Sequence, residues 1–246
     1  MKEVTIEGRQ PVLEALKAGR KIKQLYIAEG ASGETLAEIQ KRAGQRGVPV
    51  RFISRQELSK IAATGAEQGV VALGAPIPFV DVDDILNAAF EAGQDPFILV
   101  LDQLQDPQNF ASIIRTAEAV GVHGIIIPKN RSVTVTPTVE KVSAGAVEYV
   151  AIAQENIATA LDYLKTRGCW VVGTDVGAPR DCFQTSLTGP VVLVIGSEGR
   201  GLRRLVKEKC DIMVQLPMLG RVNSLNAANA ASVLMYEILR QRRQKV

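Results

Sequence analysis

The spacing of hydrophobic residues divides the chain into alternating strand and helix segments. Lys21 to Ile27 alternates polar and apolar residues, the period of a half-buried strand, and Val48 to Ile53 and Gln68 to Leu73 read as two more strands. Gly8 to Leu16 reads as a loop entering a helix, with Pro11 near the first turn and Val12, Leu13 and Leu16 on one face. Glu34 to Ala43 reads as a second helix, stopped at Gly47. Ser54 followed by Glu57 marks a capping box at the head of a third, short helix. Gly74 to Pro78, with two prolines, predicts a linker leading to a helix over about 82–92. Beyond it the pattern changes. Phe97 to Leu101, Gly124 to Ile127, Trp170 to Val172 and Val191 to Ile195 are unbroken apolar runs, as in strands buried on both faces of a parallel sheet. Helical segments separate them. The expected fold class is α/β: a small α/β domain over 1–75, a linker and connecting helix over 76–95, and a parallel-sheet domain over 96–246.

Composition narrows the function. Of 246 residues, 46% are hydrophobic, enough for a substantial core. No apolar run is long enough to span a bilayer, and Met1-Lys2-Glu3 opens the sequence without the apolar stretch of a signal peptide. A cytoplasmic protein with no membrane partner is expected. The three cysteines, Cys169, Cys182 and Cys210, lack the spacing of a disulfide framework or a zinc site, so no metal is expected. His123 is the only histidine, and any Ser-His-Asp or Cys-His mechanism would have to use it. It lies between a helix end and an apolar run and reads as structural. Charge is uneven: residues 1–75 hold 12 Lys/Arg against 8 Asp/Glu, whereas 76–246 hold 17 against 18. The basic first segment suits an anionic ligand, although a generic solubilising surface gives the same count.

Three segments carry candidate chemistry. Asp106-Pro107-Gln108-Asn109 is a helix start, with Asp at the N-cap and Pro at N1. The helix it opens has Phe110, Ile113, Ile114, Ala117 and Val120 on its buried stripe and Arg115 on the opposite side. Arg115 is then a solvated arginine, or one covered by a substrate or a second subunit; Asn109 is a capping residue or a site residue. Gly196-Ser197-Glu198-Gly199-Arg200-Gly201 follows a buried strand. Its glycines match neither a dinucleotide-binding fingerprint nor a P-loop, and a glutamate inside it would repel pyrophosphate. It suits a ligand with positive charge or hydroxyl donors, such as a sulfonium nucleoside. Leu216-Pro217-Met218 then leads to Asn223, Ser224 and Asn226, three small polar residues at a helix N-terminus where one cap suffices. Leu234, Met235, Ile238 and Leu239 form an apolar face on that helix, and Arg240, Arg242, Arg243 and Lys245 read as a solvated basic end.

Asp106 to Glu118, Ile195 to Leu202, and Leu216-Pro217-Met218 with Ser224-Leu225-Asn226, in this order and at these separations, resemble the SpoU/TrmH group of RNA ribose methyltransferases in the SPOUT superfamily. Gly8 to Leu16 and Gln68 to Ala72 resemble that family's accessory domain, similar to ribosomal protein L30e. The subgroup most resembled methylates a guanosine of 23S rRNA (RlmB-like). The resemblance implies a C-terminal domain threaded as a trefoil knot, a homodimer, RNA as substrate and S-adenosylmethionine as cofactor. It implies cofactor contacts from Gly196, Leu216 and Leu225, with Glu198, Gly201 and Met218 nearby. It makes Arg115 the catalytic arginine, as a donor that orients the hydroxyl or stabilises charge, with Asn109, Ser224 and Asn226 positioning ribose and cofactor. The general base stays open between Glu198, water and an RNA phosphate. The accessory domain would select RNA, with Lys17, Arg20, Lys21 and Lys23 as candidate phosphate contacts. Ala111, where the family often has glycine, would slightly narrow the site, and Ala227-Ala228-Asn229 replaces a commoner pairing. Rival readings are the same chemistry on tRNA or another rRNA site, as in thiostrepton-resistance enzymes, and a non-catalytic RNA-binding or ribosome-assembly factor.

Overall fold

The computed structural model describes residues 3–65, 67–130, 132–222 and 224–244, so Asn223 and Lys245 lie outside the described residues. The chain runs β1 (Val4–Glu7), α1 (Arg9–Lys17), β2 (Ile22–Ala28), α2 (Glu34–Gln45), β3 (Val50–Ile53), α3 (Arg55–Ile61), β4 (Val70–Gly74), α4 (Val82–Glu91), β5 (Phe97–Leu101), α5 (Pro107–Ala119), β6 (Gly124–Pro128) and α6 (Pro137–Val142). It continues through β7 (Ala151–Glu155), α7 (Ile157–Thr166), β8 (Trp170–Thr174), β9 (Arg180–Asp181), β10 (Val191–Ile195), α8 (Arg204–Lys209), β11 (Ile212–Gln215) and α9 (Ala227–Gln244). Two compact units result, Met1–Pro78 with Thr134–Tyr149, and Phe79–Val133 with Val150–Val246. Among the described residues no helix is long and apolar enough to cross a membrane.

In the first unit β4 lies antiparallel between β1 and β2, and β3 pairs parallel with β2 at the edge. One face of α1 and of α2 buries Val12, Leu16, Leu36 and Ile39 against Ile6, Leu25 and Ile27 of the sheet. The Ser54 capping box forms, the Glu57 amide donating to Ser54 Oγ at 3.3 Å and the Ser54 amide to Glu57 Oε2 at 3.0 Å. The expected boundary at residue 75 does not describe this unit, because the stretch Thr134–Tyr149, assigned in sequence to the other domain, belongs to it. The reason is ionic. Arg20, between α1 and β2, donates Nη1 to Glu140 Oε2 at 2.9 Å, Nη2 to Glu140 Oε1 at 3.0 Å and Nη1 to Glu148 Oε1 at 2.7 Å. Its Nε donates to the Ala75 carbonyl at 2.7 Å.

Arg20 is therefore buried and occupied, and the expectation that it contacts phosphate is corrected. Lys17 and Lys23 are exposed and pair with Glu14 and Glu3, while Lys21 is exposed. Two carboxylates share one guanidinium in this cluster. Burial holds Glu140 above the usual carboxylate range, and the bidentate Arg20 contact opposes that shift without cancelling it. Replacing Arg20 with Met strands both carboxylates. Such a loss costs about 3–5 kcal/mol, and urea unfolding should show a loss of that order. A loss below about 1 kcal/mol would place the cluster among the weak, solvent-screened pairs instead.

The second unit holds a seven-stranded sheet in the order β7-β6-β5-β10-β8-β11-β9, every neighbouring pair parallel. Its central strands β5, β6 and β10 are buried at every residue and carry apolar side chains on both faces because both faces are covered. Ile98, Val100, Ile126, Val171, Val192 and Val194 pack beneath Ile85 and Leu86 of α4, Leu161 and Leu164 of α7 and Val206 of α8. The alternate residues, among them Leu99, Ile125 and Leu193, are equally buried. Helices α5 and α9 pack on each other and share a hydrogen bond between Thr116 Oγ1 and Ser232 Oγ at 3.0 Å. The predicted stripe of Phe110, Ile113, Ile114, Ala117 and Val120 is buried, as are Leu234, Met235 and Ile238.

Arg242 departs from the expected solvated end. It donates to the carbonyls of Asp95, Pro96 and Gly189 at 2.9, 2.8 and 2.6 Å and lies 5.0 Å above the Phe97 ring. Beside it the Phe97 amide donates to His123 Nδ1 at 3.0 Å, so the other ring nitrogen carries the proton toward Gln94 Oε1 at 3.0 Å. His123 is thus structural. Burial, with the nearby Arg242 charge, lowers its pKa. The unfolded chain therefore takes up this proton first as pH falls, and the folded state loses stability below the ordinary histidine pKa of about 6.5. His123→Asn removes the titrating group. The stability of the native protein relative to that variant should fall between about pH 7 and pH 5, read by denaturant unfolding; a constant difference would show that the imidazole is unshifted.

Candidate functional site

The sheet order reverses at the centre. β5, β6 and β7 progress outward on one side, β8 starts on the other, and β10 fills the gap between β5 and β8. Open parallel sheets bind ligands outside the carboxyl ends of their strands at such a reversal. A cavity of about 600 Å³ opens there, lined by loops 174–176, 195–201 and 214–218 after β8, β10 and β11, and by 224–227 at the head of α9. Gly196, Glu198, Gly201, Leu216, Met218 and Leu225, the residues expected to contact a cofactor, all line it, as do Ser224 and Asn226.

The loop 196–201 closes on itself. The Ser197 amide donates to the Gly201 carbonyl at 3.2 Å and the Gly201 amide to the Ser197 carbonyl at 2.9 Å. A Cβ on Gly196 would lie 2.3 Å from the Gly201 carbonyl carbon, so that glycine is demanded by the loop's own return strand as well as by any ligand.

Glu198, at the tip, reaches sideways. Its Oε1 accepts from Asn109 Nδ2 at 3.1 Å, Asn226 Nδ2 at 2.6 Å and the Ala227 amide at 3.2 Å. Asn226 Nδ2 also donates to Asn109 Oδ1 at 2.9 Å. Asn226 Oδ1 meanwhile caps α9, accepting from the Ala228 and Asn229 amides at 3.0 and 3.2 Å. Cap and cluster together fix which end of this amide is oxygen. At the head of α5, Asp106 accepts from the Gln108 and Asn109 amides at 3.1 and 3.2 Å. Asp106 is the cap, and the Asn109 side chain serves the cluster. The negative carboxylate also sits at the N-terminus of an 18-residue helix, where the backbone dipole favours it.

Arg115 does not join this group within one chain. It is exposed on α5, has no hydrogen-bond or ion-pair partner among the described residues, and is not among the residues lining the cavity. Ala111 is fully buried and also outside the cavity lining, so its methyl fills core space rather than narrowing the cavity. The opposite end of the loop is pinned by Asp102, which accepts from the Arg203 amide at 2.9 Å and from its Nε at 2.7 Å. Sequence reasoning missed this pair and the β8 loop with Asp175; an acidic residue directly after a buried strand was the available signal. Burial pushes the thiols of Cys182 and Cys210 up to about 11 and about 12, so neither is a ready nucleophile.

Residues 96–236 match the SpoU rRNA Methylase family, and residues 5–80 match the RNA 2′-O ribose methyltransferase substrate binding family. The chain belongs to the SpoU methyltransferase family. YacO of Bacillus subtilis, provisionally named a TrmH family tRNA/rRNA methyltransferase, is 46% identical over 236 residues, 96% of this chain and 94% of that protein. The SpoU methyltransferase AviRb from Streptomyces viridochromogenes, solved in complex with the cofactor AdoMet, superposes with a TM-score of 0.82 at 27% identity, over 98% of this chain and 91% of that one. An AdoMet-bound rRNA methyltransferase from Sinorhizobium meliloti superposes with a TM-score of 0.80 at 26% identity, over 97% of this chain and 87% of that one. Membership makes the chain an RNA methyltransferase with S-adenosylmethionine as methyl donor.

The cavity of this SpoU protein fits that donor. Its volume lies within the range of about 300–1,000 Å³ usual for such ligands. Leu216, Met218, Leu225 and Leu234 supply apolar walls, and the Glu198 carboxylate complements a positive sulfonium. Asn226→Asp keeps the helix cap but replaces two N–H donors with a second carboxylate facing Glu198. Calorimetry should show S-adenosylmethionine affinity falling by roughly ten- to a hundredfold, the cost of one or two such bonds, with helix content unchanged by circular dichroism. Native affinity in this variant would show that the Glu198 cluster does not govern the cavity.

Proposed function

We propose that the protein transfers the methyl group of S-adenosylmethionine to the 2′-hydroxyl of a ribose in RNA, that a guanosine of 23S rRNA is the target, and that the enzyme works as a homodimer. The observation that carries this reading is the Asn109–Glu198–Asn226 cluster, of which Glu198 and Asn226 line the 600 Å³ cavity while Asn109 braces them from behind it, so that an amide and one braced carboxylate border the place a methyl donor would occupy. The match of residues 5–80 to a 2′-O ribose methyltransferase substrate-binding domain supports ribose as the acceptor.

S-adenosylmethionine supplies a methyl already activated by its sulfonium. The protein's task is then alignment, which is worth up to about 7–11 kcal/mol when an attacking atom is held in line. Asn109, Ser224 and Asn226 orient the acceptor ribose. Glu198 Oε1 already takes three donors, which suits a bracing role, and the hydroxyl proton passes to water or an RNA phosphate. Arg115, whose guanidinium carries only donors, stabilises the developing alkoxide. Its exposed position on α5 suits a residue that a second subunit or the RNA itself covers. In the first unit, Lys17, Lys21 and Lys23 are among the exposed cations, which also include Lys41, Arg51 and Arg55, and offer charge to RNA phosphates.

Arg115→Ala should abolish transfer of labelled methyl to RNA while the dissociation constant for S-adenosylmethionine stays within about twofold of native, as for a group engaged only in the transition state. Retained turnover would overturn the role of Arg115. Offering rRNA and tRNA separately and mapping the modified nucleotide tests the target, and a base-methylated product would overturn ribose as the acceptor.

A further inference from the structure

Asp175 follows β8 and lines the cavity, as does Glu198. Its backbone is fixed by the amide donating to the Val214 carbonyl at 3.1 Å. Its carboxylate is held at two points. Oδ1 accepts from the Val176 amide at 3.1 Å, and Oδ2 pairs with Lys207 of α8. Each carboxylate oxygen offers about two acceptor positions, so half the set remains free. The neighbouring Gly201 has φ 64°, and a Cβ there would stand 3.1 Å from Oδ1. The glycine therefore leaves the inner edge of the carboxylate open to the cavity.

We propose that Asp175 accepts hydrogen bonds from the ribose hydroxyls of the methyl donor's own nucleoside, and is a binding residue for the donor. This rests on the methyl-donor reading of the cavity. Three features favour hydroxyls. Lys207 offsets the negative charge, so the wall presents acceptor lone pairs with little net field, a surface suited to neutral donors more than to a second cation. The lone pairs that remain free offer no hydrogen-bond donor to the donor molecule's terminal carboxylate. An acidic side chain near a strand end at a reversal of strand order is placed as in other nucleoside sites, where it takes ribose hydroxyls. Lys207 does not reach the ligand in this arrangement; it is a positioning residue that keeps Asp175 turned inward.

Methylthioadenosine separates the possibilities, because it keeps the ribose hydroxyls and lacks the donor's ammonium and carboxylate. Titration calorimetry on the full chain should show Asp175→Ala weakening S-adenosylmethionine and methylthioadenosine by the same factor, roughly tenfold or more, as for loss of a hydrogen bond to a charged acceptor. Asp175→Asn, which keeps one acceptor oxygen for the Val176 amide but gives up the ion pair with Lys207, should weaken both by a smaller common factor, with a melting temperature near native as its folding control. Weakening of S-adenosylmethionine alone would assign Asp175 to the ammonium and overturn the proposal. So would native affinity for both ligands in the folded Asp175→Asn and Asp175→Ala proteins. A native chain that binds neither ligand removes the donor site itself, and this contact with it.

Discussion

A single carboxylate oxygen holds the site together. Glu198 Oε1 gathers donors from the first turn of α5, the residue before α9 and the first amide of α9. Those groups are 89 and 28 residues away from Glu198 along the chain. Without that oxygen, two buried-edge amides and a helix N-terminus would face one another with donors unmatched, and the loop between β10 and α8 would lose its lateral anchor. The neutral partners matter as much as the charge. Asn226 can cap α9 with its oxygen and brace Glu198 with its nitrogen only because an amide carries an acceptor and a donor on one carbon.

The sheet supplies what the loops cannot. Loops 174–176, 195–201 and 214–218 leave three adjacent parallel strands, β8, β10 and β11, whose residues are packed on both faces. Their spacing is inherited from the ladder, so a ligand between them meets walls set by backbone hydrogen bonding. The loop after β10 is fixed further at both ends, by its own return contact between Ser197 and Gly201 and by Asp102 gripping Arg203. Arg115 differs in kind: it stands outside this frame on an exposed helix face, with no hydrogen-bond or ion-pair partner among the described residues.

Much of this was legible in sequence, for reasons that also explain the omissions. β5, β6, β8 and β10 are unbroken apolar runs, and α5 announces itself through Asp106, Pro107 and its buried stripe. β7, which runs out into Gln154 and Glu155, and the four-residue β11, which follows Asp211 and ends in Gln215, passed unread because polar residues cut their apolar runs short. β1 ends in Glu7, a carboxylate in a core position that periodicity counts as surface; it is buried because the amides of Ala63 and Thr64 and the Thr64 hydroxyl donate to it. The family motifs pointed to the cavity residues, but the division of labour between Asp106 as cap and Asn109 as brace depends on distances no spacing rule contains. Arg20 fails in the same way. In sequence it is one of a cluster of basic residues, and only its two remote glutamates distinguish it from Lys17, Lys21 and Lys23.

The excursion of Thr134–Tyr149 into the first unit has a consequence for how the protein is made. Arg20 meets Glu140 and Glu148 across separations of 120 and 128 residues. As the polypeptide leaves the ribosome, the small N-terminal sheet can form early, but its guanidinium stays without counter-charge until more than half the chain has been translated. By then β5, α5 and β6 of the other unit have already emerged. Closing so long a loop costs little more entropy than a short one, yet it postpones completion. The first unit is therefore completed only after the opening strands of the second have been made, and the second, which needs the residues after Tyr149, is completed later still.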